Sequence, residues 1–463
     1  MSMKIASLDV EQQAARDVDD DGLPRRTGTV WTTAAHIITA VIGSGVLSLA
    51  WSMAQLGWVA GTIALVMFAA ITYYNSSLLA DCYRTGDKVT GKRNYTYTDA
   101  VTSYLSRWQV VFCGLCQYTN LVGTAIGYTI TASLSASAVY KSNCFHRNGH
   151  SADCSVWTSM YMLGFGVAQI LFSQIPNFHK MAWLSTVAAV MSFCYATIGA
   201  GLSLAQIVAG PTGKTTLGGT EVEGAQKIWL ALQALGNIAF AYSYPFVLIE
   251  IQNTVRSPPA ENKTMRKANL ISISTTTAFY LLSGCLGYGA FGNAAPGNML
   301  TGFGFYEPFW LIDVANVCIV VHLVGAYQVF SQPIFAAVED WAGSRWPSVN
   351  REYSIITGKL SFNILRLTWR TAFVCMSTLL AIVFPFFNDI VGLLGALGFW
   401  PLTVYFPVEM YIRQKKMKKF SGKWMALQIM STVCFIVSLS AVVASVRGIT
   451  TSLQHYVPFK SKF

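Results

Sequence analysis

With 463 residues, 53% of them apolar and only 11% charged, the chain suits lipid better than water. Its formal net charge of +11 does not mark a nucleic-acid binder, because the basic residues are dispersed between apolar runs rather than gathered on one folded surface. An enzyme is not expected either: the sequence has no nucleotide-binding loop and no metal-spaced His/Cys cluster, so neither a metal nor a cofactor is anticipated.

A bilayer core of roughly 30 Å takes about 20 helical residues. About eleven apolar runs of that order succeed one another: residues 29–51, 58–82, 109–139, 157–174, 182–208, 228–251, 268–291, 308–338, 371–387, 390–412 and 424–446. The predicted class is all-α and integral to a membrane. Ahead of the first run, residues 1–28 are polar, carry Asp17, Asp19, Asp20 and Asp21 and lack the apolar centre of a secretory signal; a disordered cytoplasmic tail is expected there. With the N-terminus in the cytosol, most of the 32 Lys and Arg fall on the inner side, as the positive-inside rule asks. The inner clusters include Arg84, Lys88, Lys92 and Arg93; Arg256, Lys263, Arg266 and Lys267; and Arg413, Lys415, Lys416, Lys418 and Lys419. The C-terminal segment 447–463 is then expected outside. So is the loop 141–155, whose Cys144 and Cys154 should form a disulfide in an oxidising compartment.

The first and sixth runs share an anomaly. The first contains Val41-Ile42-Gly43-Ser44-Gly45-Val46-Leu47 and the sixth Ala239-Phe240-Ala241-Tyr242-Ser243-Tyr244-Pro245. Glycine weakens a helix interior by about 1 kcal/mol and proline by about 3 kcal/mol. In lipid, the backbone groups that a break frees must find protein, water or ligand. Breaks five runs apart favour an inverted repeat of five helices whose paired broken helices form a site at mid-membrane. The expected units are 29–208 and 228–412, with 424–446 as an extra helix.

The stretch Ala35-His36-Ile37-Ile38-Thr39-Ala40-Val41-Ile42-Gly43-Ser44-Gly45-Val46-Leu47-Ser48-Leu49-Ala50-Trp51 resembles the opening helix of the plant amino acid permeases, within the amino acid/auxin permease family. The similarity continues through Ser173-Gln174-Ile175-Pro176-Asn177-Phe178-His179, Ile238 to Tyr244, Glu307 to Asp313 and Phe399 to Met410, and covers nearly everything after Thr27. What it implies is a leucine-transporter-like fold and proton-coupled import of free amino acids across the plasma membrane, with membrane lipids as surroundings. It leaves the oligomeric state open. Asn237 and Asn253 depart from the Asp expected in many relatives. A sodium-coupled transporter, an amino acid channel and a nutrient receptor are the alternative readings.

A zwitterionic substrate must exchange water for equivalent partners at both its charges. Free amides around Gly43, Ser44 and Gly45, at the positive start of a half-helix, suit the carboxylate. Carbonyls around Ala241, Tyr242 and Ser243, at the negative end of another, suit the ammonium. Asn120 and Thr124 on the third span are expected to complete the pocket. For the proton, ionisable groups deep in spans are sought, because each is costly there unless paired or functional. His36 lies seven residues before Gly43 and is expected on the face that reaches the break. His322 and Glu250 are the further coupling residues, while Asp313 and Glu409 read as structural.

Overall fold

The computed structural model describes residues 18–23, 25–149, 151–175, 182–210, 212–222, 224–302, 308–348, 352–355 and 360–456. The described residues are mostly helical. Nine of the helices among the described residues are long and apolar enough to cross a membrane, and two shorter apolar helices accompany them. Their surfaces are inverted relative to a soluble protein. The helix Leu49–Asp81 exposes Val59, Ile63, Val66 and Met67 and buries Ser52, Thr72, Asn75 and Ser76, as a helix does when lipid is outside and polar partners are inside.

Helix α1 (Val30–Val41) starts at a capping box in which Thr29 and Thr32 satisfy each other's amides. It stops at Ile42 and Gly43. A 3-10 turn, Ser44–Ser48, then leads into α2 (Leu49–Asp81). Within α2 the chain turns at Gly57 (φ 76°), where it passes from the first span to the second. Only glycine fits that left-handed position, and a Cβ there would lie 2.2 Å from the Gly219 amide of the overlying loop. A short α3 (Tyr97–Tyr104) precedes α4 (Arg107–Asn148), α5 (Thr158–Ser173) and α6 (Ala182–Ala209). The second broken helix comprises α7 (Ala225–Ala241), a 3-10 turn Tyr244–Val247 and α8 (Leu248–Gln252). Pro245 opens that turn, in the position where its missing N–H costs nothing. Helices α9 (Glu261–Phe291), α10 (Phe309–Arg345), α11 (Ile364–Val383) and α12 (Phe387–Gly398) follow, and a π-turn Phe399–Tyr405 carries α12 into α13 (Phe406–Gln414) before α14 (Gly422–His455).

The all-α class holds, with two small antiparallel hairpins added, which pair Arg84–Thr85 with Lys92–Arg93 and Glu352–Ile355 with Leu360–Asn363. Two local expectations need correction. Cys144 lies on α4 rather than in a loop, because the helix continues to Asn148, beyond the end of its apolar run; an amide ladder does not need apolar side chains to continue. Cys144 is bonded to Cys154 across a Cα separation of 5.8 Å. Finally, the last part of the stretch 1–28 is tied down. Gly28 bonds to Thr254 and Arg256, and the Arg26 guanidinium meets Asp19, Asp21 and the Asn253 carbonyl at 2.9, 2.8 and 2.7 Å. Asp20 and Glu261 hold Arg84 and Arg93 beside it. This clasp joins the start of α1 to the loop after α8.

Candidate functional site

The two breaks meet at the centre of the bundle around one small cavity. Gly43, Ser44 and Gly45 line it from the first break, Ala241, Ser243 and Tyr244 from the second, and Asn120 and Thr124 from α4. Tyr128, Phe240, Phe246 and Phe330 supply aromatic walls, with Tyr128 and Phe246 both packed on the Phe330 ring at 5.5 and 5.8 Å. None of the lining residues is charged. The cavity volume is about 30 Å³, room for one or two waters. The cavity is therefore drawn tight around its walls and must widen to admit a larger solute.

The polar groups at the breaks divide into satisfied and free ones. At the first break the carbonyls are taken: the Tyr280 hydroxyl reaches Val41 O at 2.5 Å, Ser192 Oγ donates to Ile42 O at 2.9 Å and Tyr195 Oη to Gly43 O at 3.0 Å. Tyr280 also lies 3.0 Å from Ala241 O, so one hydroxyl joins the C-terminal ends of both half-helices. Each end carries partial negative charge, and a hydroxyl between them acts as the neutral substitute for a cation. The amides that begin the 3-10 turn at Ser44 and Gly45 have no preceding helical acceptor. The Ser44 hydroxyl is buried and has no partner among the described residues.

Gly45 and Gly43 serve different purposes. A Cβ on Gly45 would lie 3.0 Å from Ala241 Cα and 3.3 Å from Phe240 Cδ1, whereas one on Gly43 would stand 3.5 Å from the Tyr128 hydroxyl. Gly45 thus permits the contact between the two breaks, whereas a Cβ on Gly43 would only reach ordinary contact distance. On α4, Asn120 donates to Leu394 O at 3.0 Å and Thr124 back to Asn120 O at 2.8 Å.

Not every residue singled out from the sequence is brought here. The Tyr242 side chain turns away: it is fully buried, donates to Thr277 Oγ1 at 3.1 Å and packs edge-on against Tyr280. His36 is exposed on the outer face of α1. The seven-residue spacing aligns it with Gly43 only along an unbroken helix, and α1 ends before Gly43 is reached. Glu250 lies on α8, where Oε1 accepts from the Tyr97 amide at 3.1 Å and Oε2 has no partner among the described residues; it caps α3 and does not line the cavity. His322 is different. It is buried behind Gly43, 4.0 Å from the position of a Cβ there, and its Nδ1 lies 2.9 Å from Ala188 O and from Ser192 Oγ. A carbonyl only accepts, so Nδ1 carries the hydrogen and Nε2 is a bare acceptor; that nitrogen has no partner among the described residues. Asn237 donates to Asn388 Oδ1 at 2.7 Å. Asn253 Oδ1 accepts from Arg26 Nη2 at 2.8 Å and from the Tyr83 hydroxyl at 2.9 Å.

Tyr280, Tyr195, Ser192 and Tyr244 were not legible as site residues. They lie on spans with no anomaly of their own, or carry hydroxyls that look like ordinary bundle contacts.

A multi-pass bundle with two interrupted helices meeting at a buried, uncharged cavity defines a membrane transport protein rather than a soluble receptor or a scaffold. Comparison with known proteins gives the family. Residues 26–451 match the family described as transmembrane amino acid transporter protein, and the chain belongs to it. It is 57% identical to amino acid permease 8 of Arabidopsis thaliana over 97% of this chain and 96% of that protein. Amino acid permease 1 of the same plant is 58% identical, covering 96% of this chain and 94% of its own length. The solved structure of MhsT in complex with L-phenylalanine is similar in fold, with a TM-score of 0.50 at 12% identity, covering 91% of this chain and all of that one. The chain is thus a multi-pass membrane protein that carries amino acids across a membrane.

Proposed function

We propose that the protein imports amino acids across the plasma membrane as a proton symporter, working by alternating access around the cavity, with eleven spans in a five-plus-five inverted repeat and one extra helix. The N-terminus and the clasp face the cytosol; the Cys144–Cys154 disulfide and the C-terminal segment face outside, in line with the distribution of Lys and Arg. The observation that carries the reading is the relation between His322 and the first break. A proton on Nε2 would place a cation in a fully buried site, which is costly without a counter-charge. A substrate carboxylate seated on the Ser44 and Gly45 amides supplies that charge next to Gly43. Proton and substrate then favour each other's binding by the same factor, which is the linkage symport requires. The first-break carbonyls already have hydroxyl donors, so this end of the site does not need sodium.

One proton crossing about 100 mV yields about 2.3 kcal/mol, and a gradient of about two pH units adds roughly 2.7 kcal/mol, sufficient for steep accumulation. The test is uptake of the twenty amino acids into proteoliposomes under an imposed pH gradient, with and without sodium. Accumulation that follows the pH gradient and ignores sodium is expected. His322→Gln should keep substrate binding and lose pH-driven accumulation, and His36→Gln should behave as wild type. Uptake that requires sodium, flux that never exceeds equilibration, or an unchanged pH profile in His322→Gln would each overturn the corresponding part.

A further inference from the structure

We infer that the connector between α13 and α14 is a binding seat for anionic lipid headgroups of the inner leaflet. From Arg413 to Lys423 the chain carries Arg413, Lys415, Lys416, Lys418, Lys419 and Lys423 and no acidic residue. Several other cations at this end of the bundle are held in ion pairs. Arg84 and Arg93 pair with Glu261, Lys88 and Arg266 with Asp81, and Arg370 with Glu339. By contrast, Arg413, Lys415, Lys416, Lys418 and Lys419 are exposed and make no ion pair among the described residues.

The location of this charge is fixed by its neighbours. Gln414 donates to Asp81 O at 2.6 Å, which puts the connector at the same end as the clasp. It joins two apolar helices, Phe387–Gln414 and Gly422–Gln454, each long enough to cross a membrane. A link this short between two spans has to lie at headgroup depth. Its backbone also holds side chains where glycine would fit more easily: Lys416 and Phe420 have φ of 45° and 62°. Phe420 is 77% exposed and packs on Trp424 at 5.3 Å. An aromatic pair set among unpaired cations at the edge of the apolar belt matches a surface of anionic phosphate above hydrocarbon.

The inference rests on the cytosolic orientation proposed above. Its test uses the full-length protein purified in mild detergent, with retention of phosphatidylserine against phosphatidylcholine read by native mass spectrometry. A cation near an anionic surface is worth about a fivefold change in affinity. K415Q/K416Q/K418Q/K419Q should therefore weaken phosphatidylserine retention by roughly a hundredfold or more while phosphatidylcholine is unaffected. Phe420→Ser keeps every charge and removes the ring, and should weaken phosphatidylserine by a smaller factor. Equal phosphatidylserine retention by wild type and the quadruple variant would overturn the seat. So would displacement of the lipid by inorganic phosphate at equal concentration, which would make the site one for free phosphate. Amino acid uptake into phosphatidylcholine vesicles, measured on the same two proteins, tests the transport reading separately.

Discussion

Tyr280→Phe removes one hydroxyl and changes little else in shape. The phenol is fully buried and its oxygen lies 2.5 Å from Val41 O and 3.0 Å from Ala241 O. Val41 O keeps the Gly43 amide at 2.9 Å, so losing the hydroxyl leaves Ala241 O, at the negative end of its half-helix, without that donor in a place closed to bulk water. An unsatisfied buried acceptor costs about 1–3 kcal/mol, which lowers the population of the closed arrangement about 5- to 150-fold. If that arrangement is the one that holds substrate, apparent affinity falls by the same factor. The assay is initial uptake rate against substrate concentration in proteoliposomes, together with thermal unfolding of the purified protein. A raised KM of that order with a smaller change in maximal rate is expected. A KM within about twofold of wild type in a protein that has lost thermal stability would refute the reasoning, because the hydroxyl would then matter to the bundle and not to the site.

Two further outcomes follow from the geometry. Gly45→Ala should impair transport much more than Gly43→Ala, because the new Cβ meets Ala241 and Phe240 in the first case and ordinary contact distance in the second; equal uptake by the two variants would contradict the close approach of the breaks. In the clasp, the hydrogen bond from Arg26, opposed by burial, holds the Asp21 carboxyl well below the usual carboxylate range. A depressed folded-state pKa stabilises fully above the unfolded value of about 3.9 and is lost only as pH falls through the folded one. The clasp should consequently be indifferent to cytosolic pH between about 5 and 8, and protease sensitivity of the N-terminal segment should be flat across that range. A rise in cleavage within it would place a different titrating group in the clasp.

The periodicity of apolar runs alone determined that the chain crosses the membrane many times, and roughly where, because a bilayer of fixed thickness sets a length that sequence can be measured against. The breaks were legible for a local reason too. Gly43 to Gly45 and Tyr242 to Pro245 are poor helix formers inside runs that otherwise must be helical, so the anomaly shows without any knowledge of neighbours. What lies beyond one helix was not available. The hydroxyls of Ser192, Tyr195 and Tyr280 become site residues only because α6 and α9 pack against α1. Heptad-like spacing put His36 beside Gly43, but the break that makes Gly43 interesting also rotates it out of register with His36. The π-turn at Phe399–Tyr405, around Pro401, and the extension of α4 past its apolar run likewise depend on backbone bonding that side-chain hydropathy does not report. Sequence measures each segment against the solvent it crosses; the tertiary structure decides which donor meets which acceptor, because buried polar groups are paired by proximity in space and not by position in the chain.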